Sequence, residues 1–85
     1  MSDKPQRRDG VELEQMSEGF MAMQPELGRV HYMNHTAAIV FELCDGETTE
    51  DGIAAALQDL YDLDAPPHEE VATCLATLRE QKLVS

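Results

Sequence analysis

The 85-residue sequence predicts a small α+β fold, three antiparallel strands followed by three helices. Three observations carry that expectation. Before residue 34, short runs alternate apolar and polar residues, the period of a strand with one wet face. Tight turn signals separate those runs, so neighbouring strands pair as an antiparallel meander. From Asn34 onward the apolar residues recur at three and four, the period of helices packed on one side.

Residues 1–10 combine Pro, Gly and charge with nothing apolar after Met1, and read as a disordered tail ahead of a domain spanning 11–85. Val11-Glu12-Leu13-Glu14 alternates as the first strand. Ser17-Glu18-Gly19 is a turn, and Phe20–Gln24 is the second strand. Pro25-Glu26-Leu27-Gly28 turns again, with Pro fixing φ and Gly free to take positive φ. Arg29–Met33 is the third strand and, as the last of the meander, an unpaired edge. Asn34 is a good N-cap for a helix over Thr36–Cys44, with Ala37, Val40 and Leu43 as its stripe and Asp45-Gly46 as its stop. Thr48 with Asp51 has the spacing of a capping box. The second helix, Thr49–Tyr61, sets Ile53, Leu57, Leu60 and Tyr61 on one face. Pro66-Pro67 introduces a third helix with Val71, Cys74, Leu75 and Leu78 as its stripe, and Leu83-Val84 forms an apolar tail that packs back.

Composition narrows the function. The apolar fraction is 42%, enough for one core and too high for a disordered chain. Aromatics are limited to Phe20, Tyr32, Phe41 and Tyr61, so the core is built mostly from Leu, Val, Ile, Met and Ala. The net charge is −11, and only Arg29, Arg79 and Lys82 bring positive charge into the predicted domain. A nucleic-acid binder must replace counterions with Lys and Arg, so that class is disfavoured. Cys44 and Cys74 read as reduced, buried residues. No run is long and apolar enough to span a membrane, and no secretory signal is visible, which gives a cytoplasmic expectation.

No nucleophile stands at a recognisable spacing from a base, and His31, His35 and His68 are scattered. Neither cysteine has a CxxC partner, and no glycine loop could cradle a phosphate. The expectation is a chain with no catalytic residue, metal or cofactor. An edge strand, by contrast, can take an extended peptide as an added strand. The third strand alternates Val30 and Tyr32 on one side with His31 and Met33 on the other, and the third helix is long enough to wall a groove beside it. Arg29, Arg79 and Lys82 then have two readings of equal weight. They form a cationic rim that favours acidic ligands, or they are a solvated turn residue and two complements to the helix dipole.

The run Tyr32-Met33-Asn34-His35-Thr36-Ala37, followed by Val40, Leu43, Asp45-Gly46, Thr49, Ile53, Leu57 and Tyr61, resembles the PqqD family. So does the ending Val71, Leu75, Leu78 and Leu83-Val84, and the likeness spans residues 11–84. These are proteins like the pyrroloquinoline quinone synthesis protein D, also described as recognition elements for ribosomally made, modified peptides. The resemblance implies a winged helix-turn-helix-like fold that binds the leader segment of a precursor peptide. The leader would add as a strand to the third strand and pack against the third helix. Carried over, that implies Arg29, Val30, His31, Tyr32 and Met33, with Val71, Cys74, Leu75, Leu78, Arg79 and Lys82. The implied partner is a peptide-modifying enzyme such as a radical SAM enzyme, a protease or a cyclase. Two positions depart from the family pattern: Lys82 stands where Gly is common, and Met33 where Leu is usual. A winged-helix transcriptional regulator and a structural subunit of a larger enzyme are the alternatives, and both monomer and homodimer are open.

Overall fold

A computed structural model describes residues 4–85; residues 1–3, part of the expected tail, lie outside the described residues. The strands β1 (Glu12–Met16), β2 (Gly19–Gln24) and β3 (Arg29–Met33) form one antiparallel sheet in the order β1-β2-β3. The helices α1 (His35–Leu43), α2 (Glu50–Tyr61) and α3 (His68–Glu80) follow. The α+β class and the order of elements agree with the sequence expectation. The first strand runs beyond Glu14, because Gln15 and Met16 pair with Phe20 and Gly19 across the Ser17-Glu18 turn. Gly19 takes positive φ (145°), and a Cβ there would run into the Met33 carbonyl oxygen, so only glycine fits.

The register sorts the sheet into two faces. Leu13, Ala22 and His31 stand in one cross-strand row, and Phe20 stands beside Met33. Ala22 and Met33 are buried, so this is the face turned to the helices. On the other face Met21 pairs with Tyr32 and Met23 with Val30, with Glu14 and Glu12 as their partners on β1.

Asn34 caps α1 as expected, its Oδ1 accepting the Ala37 N–H at 2.8 Å. The helix is held between the sheet and α3, so its buried arc falls on Ala38, Val40 and Phe41. Ala37 and Leu43, expected in the stripe, are only partly buried. The second helix is capped one residue later than the capping box predicts. Thr49 Oγ1 accepts the Gly52 N–H at 3.0 Å, while Thr48 is held by Asp45. The Glu47 and Thr48 N–H groups donate to that Asp45 carboxylate and hold its pKa below the usual range. Gly52 has a steric reason as well, since a Cβ would meet Thr48 Cγ2 at 2.9 Å.

Two corrections concern α2 and the chain start. Ile53, Ala54 and Leu57 are buried, but Leu60 and Tyr61, expected on the same stripe, are 60% and 43% exposed. The buried stripe ends at Leu57, and the last turn projects past the core. At the other end, the segment expected to be a disordered tail is tied down over residues 5–8. Pro5 is fully buried, and its carbonyl accepts the Gly46 N–H at 3.0 Å. Arg7 and Arg8 donate backbone N–H groups to the Cys44 and Leu83 carbonyls at 2.8 and 3.0 Å. Arg7 also pairs with Glu42 at 2.9 Å. A polar composition concealed this because the anchors are backbone groups and one proline ring, which no hydropathy pattern registers.

In α3, Val71, Leu75 and Leu78 are buried, and Glu69, Glu70 and Arg79 match the helix dipole in sign. Leu83 and Val84 are buried too, as the reading of an apolar tail requires. Cys44 and Cys74 are free, and Cys44 is buried with its Sγ 3.1 Å from the Val40 carbonyl. Among the described residues no helix is long and apolar enough to cross a membrane.

Candidate functional site

The far side of β3 has no strand partner among the described residues, since β3 pairs only with β2. Along this edge Val30 and Tyr32 are 51% and 73% exposed, on the sheet face away from the helices. His31 and Met33 turn the other way: Met33 is buried, and His31 is half-buried. Near the Met33 end, a hollow of about 350 Å³ is lined by Phe20, Tyr32 and Met33 with the β1–β2 turn. A strand laid along β3 would meet free backbone groups and set alternate side chains beside Val30 and Tyr32.

At the opposite end of β3 the sheet is tied to the segment after α3 through Gln24 of β2, a residue that sequence reasoning missed. Gln24 is the β2 partner of Arg29, and its Nε2 donates to the Lys82 carbonyl oxygen at 2.7 Å. Arg29 and Lys82, both exposed, thereby share one end of the sheet. Gln24 is itself buried, with Oε1 left without a hydrogen-bond partner among the described residues. The His31 Nε2 atom, one row along on the same face, is likewise buried without one. Such atoms lose their water without compensation. The available signal was a Gln at the inward phase of an apolar strand, after Phe20 and Ala22.

The structure does not gather all eleven expected residues into one surface. Val71, Leu75 and Leu78 are core residues beneath α3, and they support the site without lining it. Among the described residues α3 makes its broad contacts with α1 and α2, whereas the bond from Gln24 to Lys82 ties β2 to the segment after α3. Cys74 and Arg79 lie close enough to Cys44 to act on its thiol. Burial, and next Cys74, push that thiol up to about 11, with Arg79 and Arg7 pulling it partly back. Arg79 also donates its Nε–H to the Ser85 backbone oxygen at 2.9 Å, which fixes it at the chain end. Arg29 and Lys82 are thus brought to one end of the sheet, while Arg79 is held at Ser85.

Lys82 also has an unusual backbone. It adopts φ 63°, the left-handed region in which L residues are strained and glycine is not. The resemblance placed a family glycine at this position, and the geometry supplies the reason for it.

No curated protein matches the chain. A solved structure described as lasso peptide synthetase B1 complexed with the leader peptide shares the fold, with a TM-score of 0.73 at 16% sequence identity. The superposition covers 98% of this chain and 99% of that one. The family model for coenzyme PQQ synthesis protein D (PqqD) matches residues 19–84, from the first residue of β2 to the buried end of the apolar tail. With the match covering most of the chain, this protein belongs to the PqqD family.

Proposed function

We propose that this chain binds the leader segment of a ribosomally synthesised precursor peptide as a strand added to β3. It then presents that peptide to a modifying enzyme, such as a radical SAM enzyme, a protease or a cyclase, and catalyses nothing itself. The observation that carries the reading is the unpaired edge of β3 with Val30 and Tyr32 exposed along it. The family membership supports it, as does the shared fold with a protein solved in complex with a leader peptide. The contact set is Arg29, Val30, His31, Tyr32, Met33 and Lys82, with Cys74 and Arg79 of α3 and with Val71, Leu75 and Leu78 as its support. The setting is the cytoplasm.

Backbone pairing supplies affinity in such a mode, and side chains supply selection. Arg29 and Lys82 would favour a leader with Asp or Glu at the end that lies beside them. The regulator alternative finds no support in α2, which has no Lys or Arg along its length. Calorimetric titration with the leader of the precursor encoded beside this chain tests the reading. Micromolar or tighter binding with one-to-one stoichiometry is expected. Absence of heat up to millimolar leader would overturn it.

A further inference from the structure

The last turn of α2 and the loop after it form a second surface unlike the edge of β3. Leu60, Tyr61 and Leu63 are 60%, 43% and 40% exposed. Asp59, Asp62 and Asp64 alternate with them, and all three are exposed. The segment is held in place: the Asp62 and Leu63 N–H groups both donate to the Gln58 carbonyl, and Gln58 Nε2 donates to the Leu63 carbonyl. Those bonds make a capped helix end, which, unlike β3, is not a strand edge along which an extended peptide could pair.

Apart from its cap hydrogen bonds, this segment carries three features that work against folding. Large apolar side chains stand in water, although the same helix buries Ile53 and Leu57. Aspartates crowd the helix C-terminus, where the dipole favours cations, and the last turn holds no basic residue. Asp62 adds a positive φ of 54°. Features that oppose stability with no structural return mark a surface kept for another purpose.

We infer that residues 59–64 are the docking surface for the peptide-modifying protein, which meets them with an apolar hollow ringed by Lys and Arg. This rests on the reading that the chain delivers a peptide. Charge selects the occupant. A second copy would bring the same three aspartates in a chain of net charge −11, and like charges would face each other. Anionic membranes and nucleic acids are repelled for the same reason. A cationic protein surface is attracted, and its apolar floor covers Leu60, Tyr61 and Leu63. Among the described residues α2 makes its broad contact with α3, while the sheet is covered by α1. The two surfaces therefore lie on different layers, and one chain can hold leader and enzyme together.

The test uses the full chain and the purified modifying protein encoded beside it. Two variants, Asp59→Lys/Asp64→Lys and Leu60→Ser/Leu63→Ser, alter exposed side chains only and should keep the circular dichroism of the wild type. Each should weaken binding of the modifying protein at least tenfold while leaving leader affinity within twofold. The wild-type affinity should fall between 50 and 500 mM NaCl, on the order expected for exposed charges, and the lysine variant should lose that dependence. Unchanged partner affinity in both variants, no partner binding by the wild type, or a change of oligomeric state in place of partner affinity would each overturn the inference. A wild type that bound the modifying protein but no leader would sink the delivery reading and leave this surface standing.

Discussion

The edge of β3 and the end of α2 both leave apolar side chains in water, but their backbones differ. Along β3 one side of the strand lacks a partner, so main-chain groups are on offer together with Val30 and Tyr32. Around residues 58–63 the main chain is a capped helix end with no strand edge, and Leu60, Tyr61 and Leu63 stand exposed on it. The charges differ in sign as well: Arg29 and Lys82 frame one region, and three aspartates frame the other. An open, cationic strand edge suits an extended acidic peptide, whereas a closed, anionic helix end suits a folded basic surface. Two exposures on different layers can thus serve different partners without competing.

The sharpest contrast lies inside α2. Replacing buried Leu57 with Ala should cost about 2–5 kcal/mol, while Leu60→Ala should stay within about 0.5 kcal/mol. Urea denaturation measures both, and equal losses would return Leu60 to the core. The ground beneath the two regions is probed at Cys44, whose native pKa is raised from 9.0 to about 11. A raised thiol pKa favours the folded state below pH 9, and this contribution is lost as pH climbs toward 11. The domain should lose on the order of 2 kcal/mol across that window, by the usual conversion of pKa to free energy. Cys44→Ala should show a shallower alkaline decline, and an unchanged decline would assign it to other groups.

At the strand edge, Tyr32→Ala should weaken leader binding about tenfold, the scale of an interface aromatic, with little change in stability. Anisotropy titration reads the first and thermal melting the second. A large drop in melting temperature would make Tyr32 structural instead. The smallest effect belongs to Lys82, where the segment after α3 is tied to the sheet. Lys82→Gly should relieve left-handed strain and stabilise the domain by about 1 kcal/mol, less what glycine adds to the unfolded chain's entropy. If Lys82 frames the leader, the same variant should bind an acidic leader more weakly.

The element order was legible because the period of the apolar residues changes at Asn34, and periodicity reports which side of an element meets the core. β3 was placed over its full length, since Pro25–Gly28 and Asn34 bracket it with residues suited to a turn and a cap. What periodicity cannot report is where packing stops along an element. Leu60 and Tyr61 keep the spacing of Ile53 and Leu57, yet the neighbouring helix no longer covers them, so a correct stripe ended one turn early. Side-chain caps were open to a competing partner: Thr48 is drawn to Asp45, and the cap passed to Thr49. The anchoring of residues 5–8 depends on main-chain hydrogen bonds to distant carbonyls, and these leave no trace in composition. For the site, the resemblance named residues along α3 and just beyond it, together with β3. Only three-dimensional packing sorts Arg29 and Lys82 together and draws Arg79 toward Ser85.

The most direct test of the central claim is an amide NMR titration of the ¹⁵N-labelled chain with its leader peptide. The account predicts that the largest shifts fall on Arg29 through Met33 and at Lys82, with residues 59–64 unmoved. Shifts centred on residues 59–64 with β3 silent would contradict it.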